Sequence, residues 1–258
     1  MRDKIARGDT VRGVFVVTGT PANVEILGYA GLDFVILDME HASTGSGEVE
    51  HLIRAAEIGG IAPIVRVSKN DPALILRALD SGACGILVPQ VNSATEAEQA
   101  VQAARYAPLG GRGLAGIVRA ARYGFSPLSD YVSSANRRTL VIVQAEDRRA
   151  VENLEAILAV EGVDGVFVGP ADLSQSLGRT GQFDHPEVNR IFADVIGKIA
   201  GSDKFAGMFC TGADDAKRWQ GLGARMLAVG SDTMLLGQAA RELVRELDQY
   251  APKEKHNG

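Results

Sequence analysis

Eight short apolar runs recur through the chain, each followed by a helical pattern. They lie at 13–17 (GVFVV), 34–38 (FVILD), 62–67 (APIVRV), 85–89 (GILVP), 140–146 (LVIVQAE), 163–168 (VDGVFV), 205–210 (FAGMFC) and 225–229 (RMLAV). Runs this short and this continuously apolar read as strands buried on both faces, the condition of a parallel sheet covered by helices. Helical spacing of apolar positions fills 22–30, 48–59, 71–82, 94–106, 148–160, 187–200, 213–222 and 232–248. Eight strand–helix units predict a (β/α)₈ barrel spanning 1–258 as a single domain, with a flexible tail at 251–258.

Punctuation supports this division. Asn70-Asp71-Pro72 places a cap before a first-turn proline, and Ser93 or Thr95 opens the next helix. Gly31, Gly82, Gly162 and Gly223 stand where helices end and the chain turns into a strand. One connection, 107–139, is longer than an ordinary loop and is expected to be functional or partly helical.

Bulk properties exclude several function classes. A net charge of −5 over 258 residues offers no basic surface for nucleic acid. No apolar run approaches the ~20 residues that span a bilayer, and the charged start MRDKIARGD does not read as a secretory signal. A cytoplasmic location is expected, with Cys84 and Cys210 as small buried hydrophobes.

Barrel chemistry sits at the carboxyl ends of the strands. There the sequence places Asp38, Arg66, Glu146, Asp172 and, just beyond a strand, His41. Glu146 and Asp172 follow consecutive strands, ~4.8 Å apart in a parallel sheet, so they can share one hard divalent cation. Capping of the following helix is the alternative for Asp172. His41 is either a proton carrier or a surface-loop histidine. An arginine inside PIVRV needs an anionic partner, either a developing enolate or an ion pair with Asp38 or Glu146. None of the seven lysines lies within a predicted strand, which argues against Schiff-base chemistry. Gly110-Gly111-Arg112-Gly113 is a weak anion-binding signal. Gly230-Ser231-Asp232 reads as a helix cap, its aspartate disfavouring phosphate.

The motifs Asp38-Met39-Glu40-His41, Val65-Arg66 with Asn70-Asp71-Pro72, Leu87-Val88-Pro89 and Arg105-Tyr106-Ala107-Pro108 resemble those of the HpcH/HpaI aldolases, a family of the phosphoenolpyruvate/pyruvate barrel superfamily. So do Arg119-Ala120-Ala121-Arg122-Tyr123, Gln144-Ala145-Glu146 and the run from Glu161 to Ser174. The resemblance runs from Gly13 to about Leu247. It implies a class II aldolase acting on a 4-hydroxy-2-oxoacid, releasing pyruvate (or a close 2-oxoacid such as hydroxypyruvate) and an aldehyde. It implies Mg²⁺, Mn²⁺ or Co²⁺ on Glu146 and Asp172, and no organic cofactor. Gln144 with the amides of Ala171 and Asp172 would form the pyruvate carboxylate site. His41 resembles the base, Asp80 the aspartate that makes that base more basic, and Arg66 the group that stabilises the enolate. Asp38 would orient metal-bound water from outside the ligand set. Members form hexamers, trimers of dimers, so helix 232–248 is expected to pack on a neighbouring subunit. Phe15 stands where many members have tryptophan, and Met208-Phe209-Cys210-Thr211 and Ser43 also depart from the pattern, all on the aldehyde side. The rival readings are a lyase or mutase on a phosphorylated or CoA-linked substrate, and a non-catalytic 2-oxoacid-binding barrel.

Overall fold

A computed structural model describes residues 1–250; the tail expected to be flexible, 251–258, lies outside them. Eight parallel strands close into a barrel in sequence order. They are β1 (Val11–Val16), β2 (Phe34–Asp38), β3 (Ala62–Arg66), β4 (Gly85–Val88), β5 (Leu140–Ala145), β6 (Gly165–Val168), β7 (Phe205–Cys210) and β8 (Ala224–Ser231). All eight predicted runs are strands. Two apolar layers hold them. Phe15, Phe34, Ile36, Ile64, Ile142, Phe167 and Met226 fill the barrel interior. The alternate residues, such as Val35, Leu37, Val65, Val141 and Val166, face the surrounding helices. Alternation along each strand delivers these two sets to opposite faces, so both faces must be apolar.

The helices are α1 (Arg2–Ala6), α2 (Pro21–Tyr29), α3 (Ser46–Ile58), α4 (Pro72–Asp80), α5 (Ala94–Ala104), α6 (Leu128–Arg138), α7 (Arg148–Glu152), α8 (Leu154–Leu158), α9 (Pro170–Ser176), α10 (Pro186–Ala200), α11 (Ala213–Gly221) and α12 (Asp232–Asp248). The capping signals operate as expected. Asp71 accepts from the N–H groups of Ala73 and Leu74 with Pro72 in the first turn, and Ser93 accepts from Glu96 N–H. Gly31, Gly82, Gly162 and Gly223 all adopt positive φ, between 89° and 106°, which a Cβ would resist.

Two features depart from the sequence reading. The helix expected over 148–160 is broken at Asn153 into α7 and α8. A short helix, α9, follows β6 directly. As expected, the long 107–139 connection is partly helical: it contains a 3₁₀ turn at Arg119–Gly124, whose Arg119 donates to the Ser81 carbonyl ahead of β4, and α6. Only Asp232 is buried in α12, whose Met234, Leu235, Leu236, Leu243, Val244 and Leu247 are exposed. Among the described residues no helix is long and apolar enough to cross a membrane.

Candidate active site

Register places the first pair. β2 and β3 align Asp38 opposite Arg66, so their side chains emerge together at the carboxyl end of the barrel. Arg66 Nε donates to Asp38 Oδ1 at 2.9 Å and Nη2 to Oδ2 at 2.6 Å, a bidentate fork. The ring of Phe15, from β1, lies 4.8 Å from the guanidinium carbon. Burial alone would push the Asp38 carboxyl up, but Arg66 and the N–H groups of Glu40 and His41 hold it below the ordinary carboxylate value. The ion-pair alternative for Arg66 is therefore real, with Asp38 as partner. Asp38 Oδ1 also accepts from the N–H groups of Glu40 and His41, so Asp38 holds Arg66 in place.

The fork does not saturate the guanidinium, which has five N–H donors. Arg66 Nη1 stands 3.1 Å from Glu40 Oε2, yet that buried oxygen makes no well-formed hydrogen bond. Glu40 went unremarked in the sequence because it lies between two more conspicuous groups. Burial raises its pKa first; Arg66 and His41 oppose this, and Asp38 and Asp172 add to it.

Glu146 lies one residue past β5 and is 5% exposed. Its Oε1 accepts from the Gln90 N–H at 2.7 Å, and its Oε2 accepts from Gln144 Nε2. Burial pushes its pKa up to about 7; the Gln90 N–H opposes, and the charges of Glu40 and Asp172 raise it further. Asp172 sits in the first turn of α9, in the same cavity, and accepts no hydrogen bond from any described residue. Gly169 caps α9 without a side chain, so the capping alternative for Asp172 is not realised. Gly169 also lies against the carboxylate: a Cβ there would stand 3.0 Å from Glu146 Oε2 and 2.9 Å from Gln144 Nε2.

This donor set suits a hard divalent cation. Two carboxylates meet without a lysine or arginine of the chain paired to either, and Gln144 Oε1 is buried without a partner. No cluster of three or more His, Cys, Asp or Glu side chains is preassembled among the described residues. A Mg²⁺-like ion keeps water or substrate in several positions and needs only one or two carboxylates.

His41 is 62% exposed, with Nε2 3.9 Å from Glu40 Oε2. It lines the cavity of about 480 Å³ that also takes in Asp38, Arg66, Gln144, Ala171 and Asp172. The far wall is apolar and aromatic: Phe15, Phe167, Phe183, Phe209 and Met234. Asp80 is not brought to this group. It is the last residue of α4, which runs from the carboxyl end of β3 back to the amino end of β4. There Asp80 accepts from Arg112 Nη2 at 2.6 Å, so within one chain Asp80 and His41 lie at opposite ends of the barrel. The same contact gives Arg112 a structural role, reinforced by the Tyr106 ring 4.5 Å from its guanidinium carbon. Asp232 is likewise structural, accepting from Val17 and Thr18 N–H at 3.0 and 3.3 Å while Ser231 caps α12.

Residues 12–239 match the model of the HpcH/HpaI aldolase/citrate lyase family. The chain belongs to that family. It is 40% identical over 239 residues to the 2-keto-3-deoxy-L-rhamnonate aldolase of Salmonella gallinarum, covering 92% of this chain and 89% of that one. Among solved structures, a HpcH/HpaI aldolase/citrate lyase family protein from Burkholderia cenocepacia superposes with a TM-score of 0.89 at 36% identity, over 93% of this chain and 95% of that one. The citrate synthase SbnG superposes with a TM-score of 0.86 at 33% identity, over 97% and 96%. The chain is thus an enzyme, a carbon–carbon lyase of an aldolase family, and the reading as a non-catalytic barrel falls away.

Proposed function

We propose that this enzyme cleaves a 4-hydroxy-2-oxoacid reversibly to pyruvate, or a close 2-oxoacid, and an aldehyde, with a divalent cation held by Glu146 and Asp172. The observation that carries the reading is the combination at one strand-end rim: an unpaired carboxylate couple beside an arginine with N–H donors to spare. The cation, when bound, supplies a Lewis acid that polarises the 2-oxo group.

The remaining roles belong to the chain. Arg66, fixed by Asp38, directs its free N–H groups at the oxygen on which enolate charge develops. Gln144 and the N–H groups of Ala171 and Asp172, in the first turn of α9, suit the substrate carboxylate. His41, at the open edge of the cavity, takes the proton of the C4 hydroxyl in cleavage and returns it in synthesis. Phe15, Phe167 and Phe209 exclude water from the floor beneath the enolate. The aldehyde leaves along the wall formed by Phe183, Phe209 and Met234. The name of the Salmonella relative supports a deoxy-sugar-acid substrate as the first to try.

The pairing of His41 with Asp80 belongs to the same proposal, and one chain does not provide it. It requires a homo-oligomer in which the amino end of one barrel meets the carboxyl end of the next. The exposed apolar side chains of α12 support such an assembly, a hexamer with α12 on a neighbouring barrel, to be checked by light scattering. The reading as a phosphoryl- or CoA-substrate enzyme gains nothing from α12, whose N-terminus is filled by buried Asp232.

The test is pyruvate release from 2-keto-3-deoxy-L-rhamnonate and related 4-hydroxy-2-oxoacids. Activity is expected to vanish in EDTA and return with Mg²⁺, Mn²⁺ or Co²⁺. Undiminished release in chelator would remove the cation from the mechanism.

A further inference from the structure

Glu146 is held from outside its own strand by one group, the main-chain N–H of Gln90. Gln90 lies two residues past β4, and its φ of 56° is in the left-handed region that residues with a Cβ seldom occupy. The Pro89–Gln90 peptide carries the N–H toward β5, where it donates to Glu146 Oε1 at 2.7 Å, and the positive φ lets the chain that follows turn away to Asn92 without moving that peptide. Such strain persists only where the surroundings enforce it, and they do. The Gln90 carbonyl accepts from Asn92 Nδ2 at 3.1 Å, Asn92 N–H donates to Glu96 Oε2 at 2.6 Å, and the Asn92 carbonyl accepts from Asn153 Nδ2 at 2.8 Å. Asn92 is thereby tied to both α5 and the start of α8.

The other side of the carboxylate is equally confined. Gln144 Nε2 donates to Oε2, and the missing Cβ of Gly169 leaves the space that Oε2 fills. Free rotation of a glutamate would spread its oxygens over many positions. Here both are pinned, one by a main-chain N–H from β4 and one by a side-chain amide from β5.

We propose that Gln90 is a positioning residue that acts through its main chain: its left-handed N–H sets the orientation in which Glu146 meets a divalent cation, and its side-chain amide is dispensable. The inference rests on the reading of Glu146 as a cation ligand. It adds a component invisible to any motif of side chains, because the working group is present in every residue except proline and only the local backbone conformation aims it.

The test is Mn²⁺ affinity of the full-length protein, read by electron paramagnetic resonance without substrate. Gln90→Gly and Gln90→Asn accept positive φ and are expected to bind Mn²⁺ within about twofold of wild type. Gln90→Val, whose branched Cβ resists that conformation, is expected to bind at least about tenfold more weakly, the usual cost of losing a group that orients a ligand. Gln90→Ala should fall between, which keeps the series decisive if the valine variant does not fold. Mn²⁺ affinity unchanged in Gln90→Val or Gln90→Ala overturns the proposal. So does Gln90→Gly or Gln90→Asn binding as weakly as Gln90→Val, since the side chain would then be the active part. Wild-type protein that binds no Mn²⁺ overturns the underlying reading of Glu146 as well; wild-type binding with a flat series overturns this inference alone.

Discussion

Two buried arginines mark the two ends of the barrel, and they are built differently. Arg105, at the amino end, is 4% exposed; Arg66, at the carboxyl end, is 7% exposed. Each pairs with an aspartate. Arg105 goes on to spend all four of its Nη donors: Nη1 donates to the carbonyls of Asn136 and Thr139, both at 2.8 Å, and Nη2 to the Gly162 carbonyl at 3.2 Å and Asp164 Oδ2 at 2.9 Å. It ties α5, α6 and the entry to β6 into one knot. Arg66 makes two well-formed bonds, both to Asp38, and faces a carboxylate oxygen left unsatisfied. Burial and charge are alike at the two ends. What separates these two arginines is unspent hydrogen-bonding capacity at the rim that also carries Glu146 and Asp172; Arg112, at the amino end, keeps a buried Nε without a partner too, but no carboxylate couple stands beside it.

That contrast is open to attack by mutation. The largest effect is expected at Arg66. Arg66→Ala should lower kcat/KM by about 10³-fold, as loss of an oxyanion donor does, and should also lower the urea midpoint because Asp38 is left buried and alone. Arg105→Ala should show the reverse profile. Its stability is expected to fall by about 2–4 kcal/mol, measured by urea unfolding, while kcat per folded enzyme stays within about twofold. An Arg105 variant with normal stability and lost turnover would erase the distinction between the two ends.

His41→Gln comes next. Loss of a proton carrier is expected to lower kcat by about 10²-fold with no change in Tm, since the side chain is largely solvated and spans no buried contact.

The smallest effects lie in pH. Asp38 has a folded-state pKa below its unfolded value, so its contribution is complete above the unfolded pKa and is lost as pH falls through the lowered one. The stability gap between wild type and Asp38→Asn should therefore narrow below about pH 4. Glu146 has the opposite sign. Raised to about 7, it favours the metal-free fold below its unfolded pKa and loses that contribution as pH rises toward 7. Metal-free protein should lose Tm between pH 5 and pH 8, Glu146→Gln should flatten that slope, and divalent cation should raise Tm more at pH 8 than at pH 5. A Glu146→Gln slope equal to wild type would refute the assignment.

The eight strands were legible because a parallel barrel demands apolar residues on both strand faces, a pattern that a run such as FVILD or TLVIVQAE cannot hide. α6 was not singled out, because its apolar positions Leu128, Tyr131, Val132 and Ala135 form a short stripe inside a long, mostly polar connection and none of them is fully buried. α9 was hidden for another reason: a seven-residue helix opening at Pro170 reads as a loop after a strand end. The sequence named the side chains that the structure gathers at the carboxyl-end rim, Arg66, Glu146, Asp172 and His41. It gave no sign of the main-chain contact from Gln90 to Glu146, and it left the partner of Arg66 open between Asp38 and Glu146 until the register of β2 and β3 decided it. Asp80 shows a further boundary: sequence motifs say which residues belong together, and the direction of α4 shows that one chain does not bring this pair together.

The claim that Arg66 is the chemical arginine is tested most directly by exchange of the pyruvate methyl protons with deuterium oxide, followed by NMR with Mg²⁺ present and no aldehyde. Wild type and Arg105→Ala are expected to exchange at the same rate per folded molecule, while Arg66→Ala is expected to be slower by about two orders of magnitude or more. Exchange at the wild-type rate in Arg66→Ala would contradict the account, because enolate formation would then not depend on the unspent N–H groups at the carboxyl end of the barrel.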